Sequence, residues 1–173
     1  DVFPPQDKDR IAFRSPANLP AGDLTVDLRY RGAVDDTETD GIFHQRSGDD
    51  WYAYTNFEPT SARRAFPCFD EPDVKIPWQL QLDVPQGIFA AGNSPIASET
   101  AIGHGLRRVL FKPTRPLPTY LVAFAVGPFD VVDAGRSSAG APVRQIIPRG
   151  RAPHTGLAVA NIVPILTLLE DYF

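Results

Sequence analysis

The sequence predicts an all-β domain, a β-sandwich carrying one C-terminal α-helix, and three observations lead there. Eighteen prolines and 13 glycines in 173 residues separate short runs of Val, Ile, Leu, Phe and Tyr, a punctuation that suits strands and turns rather than helices. Two of those runs, Leu24–Tyr30 and Trp78–Val84, alternate strictly between apolar and polar residues, so each should bury one face and wet the other. Only after His154 does the apolar period lengthen to three and four residues, as on one face of a helix.

Taken in chain order, the runs predict strands at Arg10–Arg14, Leu24–Tyr30, Gly41–Gln45, Trp51–Phe57, Trp78–Val84, Ile88–Gly92, Leu106–Phe111, Thr119–Val126, Phe129–Asp133 and Val143–Ile147. Short strands at this close spacing favour a sandwich. Tyr120–Val126 is almost continuously apolar, which marks a central strand. The acidic stretch Asp35–Gly41 has no apolar residue and reads as a solvated loop, without the oxygen-ligand spacing of a calcium loop. Arg136–Pro142, rich in Ser, Gly and Ala, reads as a flexible connection.

In the C-terminal segment, Leu157, Ala160, Val163, Leu166, Leu169 and Phe173 form the expected apolar helix face, and Pro164 should kink or split the helix near Asn161. The expected division is therefore a sandwich over residues 1–150 and a helix over 151–173.

Composition excludes several function classes. With 43% hydrophobic residues the chain can bury one core. A net charge of −4, from 17 basic and 21 acidic residues, leaves no basic face for nucleic acid. No apolar run approaches the ~18 residues of a membrane-spanning helix, and no charged-then-apolar signal opens the chain. Cys68 is the only cysteine, so no internal disulfide can form, the redox compartment stays open, and its place between Pro67 and Phe69 favours burial over catalysis.

His44, His104 and His154 lie 60 and 50 residues apart without another ligand at metal spacing, and read as solvated surface histidines. Ser61, Ser94 and Ser98 lack a nucleophile-elbow context, and Gly103-His104-Gly105 is not a phosphate loop.

The densest chemistry lies in Tyr54–Pro72. On the aromatic-rich strand ending at Phe57, Tyr52, Tyr54, Asn56 and Glu58 share one face by alternation, opposite Trp51, Ala53, Thr55 and Phe57. An amide and a carboxylate two residues apart then leave the strand end side by side, roughly 7 Å apart at the backbone, where both can accept hydrogen bonds from one primary ammonium group. An alternative stays open: Glu58 pairs with Arg63 or Arg64 across the next turn and only ties down the loop. Asp70 reads as structural, accepting bonds from an arginine or from backbone amides to fix the Pro67-to-Pro72 turn.

The run TNFEPTSARRAFPCFDEPDVK resembles the signature T-Q-x-E-x-x-x-A-R-R-x-F-P-C-x-D-E-P of the N-terminal domain of zinc aminopeptidases in the aminopeptidase N and leukotriene hydrolase family. Gly92-Asn93-Ser94-Pro95 resembles that family's S-N-x-P turn, and Pro118–Phe129 its P-x-Y-L-x-A-F-x-x-G-x-F strand. The likeness runs in order from about Leu24 to Phe173. It implies a β-sandwich that walls a peptidase pocket, with Glu58 anchoring the substrate's free α-amino group, Asn56 as a second contact where the family usually has Gln, and Arg63 and Asp70 as scaffold.

The family's H-E-x-x-H zinc motif and G-A-M-E-N loop are missing from these residues, so the resemblance places zinc and catalysis on a neighbouring domain and implies that this chain alone is inactive. It likewise implies further strands before Asp1, which looks like a cut end, and a helix ending in E-x-Y-F that leads into the catalytic domain, with Phe173 an artificial stop. The implied partners are a peptide with a free N-terminus and the protein's own catalytic domain. Within this family the peptidase and epoxide hydrolase activities of leukotriene hydrolase are not separated by these residues. A binding or scaffold homologue that keeps the fold without zinc chemistry is the alternative.

Overall fold

Strand pairing in the computed structural model, which describes residues 2–3, 10–13 and 15–173, produces eleven strands among those residues, all paired antiparallel. Four of them make the larger sheet: β3 (Gly41–Ser47), β4 (Asp50–Asn56), β9 (Phe124–Gly127) and β6 (Phe89–Gly92), in the order β3-β4-β9-β6. A second sheet has the order β5-β8-β7, from Gln81–Pro85, Leu106–Phe111 and Ile96–Gly103. The remaining pairs are β1–β2 (Val2–Phe3 with Ala12–Phe13) and the hairpin β10–β11 (Phe129–Arg136 with Pro142–Pro148). One helix, α1 (Gly156–Tyr172), follows.

The expected all-β class is observed, and the two larger sheets face each other. Val84, Val109 and Phe111 of one sheet pack with Ala90 and Val126 of the other. The alternation read in Trp78–Val84 holds residue by residue, since Trp78, Leu80, Leu82 and Val84 turn inward while Gln79, Gln81 and Asp83 are exposed. Its ladder begins only at Gln81, although Leu80 already accepts the Phe111 amide. The apolar run Tyr120–Val126 does lead into a central strand: β9 lies between β4 and β6, but residues 119–121 first form a 3₁₀ turn.

Three expectations need correction, and one strand was missed. Leu24–Tyr30 forms no strand, and every one of its residues is exposed; no strand among the described residues lies beside it to satisfy its backbone groups. Of the strand expected at Arg10–Arg14, Ala12–Phe13 is formed, and Arg14 lies outside the described residues. β7 went unrecognised in the sequence because all eight of its residues are exposed at a sheet edge, so no apolar alternation marks it. The Arg136–Pro142 connection is a tight hydrogen-bonded hairpin loop, with Ser137 buried and its amide bonded to the Ala141 carbonyl.

The helix also differs from expectation. It runs through Pro164 as one assigned helix, and its inward side carries Val159, Ile162, Val163, Leu166 and Thr167, whereas Leu157, Ala160, Leu169 and Phe173 are exposed. Because α1 is apolar nearly all round, its sequence period does not select a face; docking against β10 does. Val163 lies over Gly135 of β10, and near the other end Glu170 accepts hydrogen bonds from the Ser138 hydroxyl and the Ala139 amide. No helix among the described residues is long and apolar enough to cross a membrane.

Candidate functional site

The acidic and basic residues singled out in the sequence gather where β4 leaves its sheet. Asn56 is the last residue of β4 and pairs across the strand with Gly41. The next residue, Phe57, is 2% exposed and packs with Ala62, Ala65 and Val122. Its ring meets that of Phe66 edge-on at 5.5 Å. Glu58 then opens a turn, through a cis peptide to Pro59, that closes when the Ser61 amide bonds the Phe57 carbonyl at 2.8 Å. Residues 62–64 continue as a 3₁₀ turn.

Both arginines of that turn point away from Glu58 to other carboxylates. Arg63 donates to Asp70 Oδ2 from Nε at 3.0 Å and from its backbone amide at 3.1 Å, while its Nη2 donates to the Asp70 carbonyl at 3.1 Å. Arg64 donates to Glu38 Oε2 from both terminal nitrogens at 3.2 Å and to Asp35 Oδ2 at 3.4 Å, and lies 3.6 Å from Asp40. The Glu58–arginine pair is therefore not formed. Among the described residues the Glu58 carboxylate has neither an ion-pair nor a hydrogen-bond partner, and both Asn56 and Glu58 are exposed.

Asp70 has the structural setting expected of it. Its side chain is 2% exposed, and Oδ1 accepts a 2.6 Å hydrogen bond from the buried Thr119 hydroxyl. Burial works to raise its pKa, but the bonds from Thr119 and Arg63 outweigh it and hold the carboxyl below the usual range. Two residues away, burial and the nearby Asp70 charge, opposed by Arg63, push the Cys68 thiol up to about 11, as suits a packed rather than a reactive cysteine.

The acidic loop is less free than its composition suggests. Asp35 Oδ1 accepts the amides of Thr37 and Glu38 and the Thr37 hydroxyl, each at 2.9 Å, and these bonds lower its pKa to about 2. Arg64 thus ties the loop to the turn that carries Glu58.

Two residues that the sequence reading left without a role complete the scaffold. Thr119, the hydroxyl that opens an apolar run, reaches Asp70. Asn93 donates to the Leu121 carbonyl at 2.8 Å and accepts from the Ala123 amide at 2.7 Å, standing in for a ladder beside β9. An apolar cavity of about 230 Å³ lies under Phe57, Phe66 and Phe124, and neither Asn56 nor Glu58 lines it. Among the described residues no three His, Cys, Asp or Glu side chains converge as a metal site. His44 stacks on Trp51 at 4.6 Å, His104 forms the β7–β8 turn, and His154 is exposed.

Among the described residues this surface presents an exposed carboxylate without an ion pair and an exposed amide two residues before it. Residues 3–121 match the family model of the peptidase M1 N-terminal domain. The chain belongs to that family. This M1 N-terminal domain is 35% identical over 159 residues to aminopeptidase M1-A of Oryza sativa subsp. japonica, covering 90% of the chain and 18% of the relative. Against aminopeptidase M1 of Arabidopsis thaliana the identity is again 35% over 159 residues, with the same coverage. Against human glutamyl aminopeptidase it is 38% over 120 residues, 69% of the chain and 12% of the relative. The domain therefore spans less than a fifth of the length of the relatives named.

Proposed function

We propose that this domain belongs to a zinc aminopeptidase that removes N-terminal residues from peptides, and that Glu58 anchors the substrate's free α-amino group with Asn56 as a second contact. The observation that carries the reading is the pairing pattern: Arg63 is taken by Asp70 and Arg64 by Asp35 and Glu38, and among the described residues the exposed Glu58 carboxylate has no cation. A carboxylate left uncompensated on a rigid turn is suited to a cation supplied from outside, such as a peptide ammonium. Arg63 and Asp70 then serve as its scaffold.

The peptide-bond chemistry belongs in this reading to a part of the protein outside this chain; among the described residues no His, Cys, Asp and Glu side chains converge to hold a zinc ion. The domain contributes one wall of the pocket and is inactive alone. Support for a second domain comes from α1, which leaves Leu157 82%, Leu168 70%, Tyr172 82% and Phe173 95% exposed, more apolar surface than a finished helix shows to water. Residues 151–173 lead into that domain in this reading.

The test is Glu58→Gln in the intact protein. A charge-assisted hydrogen bond to an ammonium is worth about 1.5–3 kcal/mol, so kcat/KM on an aminoacyl anilide should fall roughly 10- to 150-fold. The melting temperature should barely move, because the carboxylate has no partner to lose among the described residues. Full activity with reduced stability would remove Glu58 from the substrate site.

A further inference from the structure

Among the described residues no hydrogen bond or ion pair aims the exposed Glu58 side chain, so the backbone of the turn sets where it leaves the chain. Three points hold that backbone. Phe57, the preceding residue, is buried against Ala62 and Ala65 of the turn and against Val122, which follows the 119–121 turn. The amide of Arg63, five residues after Glu58, bonds Asp70 Oδ2. Thr119, whose carbonyl accepts the Val122 amide, donates to Asp70 Oδ1. One buried carboxylate therefore joins both walls of the socket in which Phe57 sits. On the strand side, Thr55 closes the same frame by exchanging hydrogen bonds with the Phe124 amide and carbonyl at 2.9 and 3.3 Å.

We infer that Asp70 is a positioning residue for Glu58: its hydrogen bonds to Arg63 and Thr119 fix the turn so that the Glu58 carboxylate is held where an ammonium group arrives. This rests on the reading of Glu58 as the amino-group anchor. A buried, desolvated carboxylate is a poor device for stability alone, since well-packed apolar side chains often do as well. What it adds is direction, because each of its two oxygens accepts from a different chain segment at a set angle. A misplacement of about 1 Å in a binding group can cost 10²-fold in rate.

The experiment is a double-mutant cycle in the intact enzyme. Asp70→Asn keeps an acceptor for Thr119 but turns an amide toward the Arg63 donors, and should lower kcat/KM roughly 10- to 100-fold, by no more than Glu58→Gln does. In the Glu58→Gln background the same change should cost less than about twofold, because the anchor it aims is gone. A second readout compares inhibition by an amino-acid hydroxamate with its des-amino counterpart: Asp70→Asn should weaken the first and spare the second. Arg63→Lys, which loses the forked geometry but keeps the charge, should show the same pattern more weakly and carries the test if Asp70→Asn does not fold. Unchanged kcat/KM, additive losses in the cycle, or equal weakening of both hydroxamates would overturn the inference. If Glu58→Gln alone has no effect, it is the anchor reading that fails; if Glu58→Gln is costly and the losses add, only the positioning role does.

Discussion

Replacing Gly127 by alanine should destabilise the domain through one contact whose size the structure sets. A Cβ on Gly127 would stand 2.4 Å from Cδ1 of Tyr52 and 3.2 Å from both Cε1 of Tyr52 and Cε2 of Phe129. Carbon atoms in contact normally sit ~3.5–4.0 Å apart, so the Tyr52 ring must move by about an ångström. It has little room: Tyr52 is 1% exposed, its hydroxyl accepts the Arg149 amide at 3.0 Å and donates to the Pro128 carbonyl at 3.4 Å, and Phe129 packs on it with ring centres 4.9 Å apart. Overpacking of this kind costs about 1–3 kcal/mol, and a disturbed hydroxyl bond adds about 0.5–1.5 kcal/mol. The lower chain entropy of the unfolded alanine variant offsets about 0.4–1 kcal/mol. The net loss should be about 2 kcal/mol, a fall in Tm of roughly 4–8 °C for a domain of this size. Urea unfolding followed by circular dichroism measures it, with Gly32→Ala as the control, where an added Cβ meets nothing within 4 Å and the change should stay within about 0.5 kcal/mol. If Gly127→Ala loses no more than the control, the close packing of β9 on Tyr52 is refuted.

Two further outcomes follow from the charges around Asp70. With its pKa held up to about 11, Cys68 should react with iodoacetamide at pH 7.5 roughly 100- to 300-fold more slowly in the folded chain than in urea, where the thiol returns to about 8.5; equal rates would show the thiol to be accessible and ionised. Because the folded pKa of Asp70 is depressed, its stabilising bonds are complete above the ordinary carboxylate value of ~3.9 and are lost as pH falls through the lower folded value. Asp70→Asn should therefore be less stable than the parent at pH 7 and show a flatter decline below pH ~4, and an identical acid decline in the two proteins would deny Asp70 its charged, bonded state.

The sequence by itself determined the all-β class, the single C-terminal helix and the family, because those rest on local period and on collinear motifs. Alternation in Trp78–Val84 translated directly into burial, since a strand with neighbours has one side to hide. The same pattern in Leu24–Tyr30 made no strand, because a strand exists only where another chain segment meets its backbone groups, and that is a long-range fact. β7 shows the converse: pairing with β8 made a strand from residues whose side chains carry no pattern. For α1, an almost wholly apolar surface left the choice of face to the hairpin it lies on. Around the site, residue types indicated that Glu58, Arg63, Arg64 and Asp70 would interact, but not which with which. A charged side chain settles with whichever opposite charge the fold brings near at least loss of solvation, and folding brought Asp70, itself bonded by Thr119, to Arg63 and the distant Asp35, Glu38 and Asp40 to Arg64. That tertiary choice is what leaves Glu58 without a partner among the described residues.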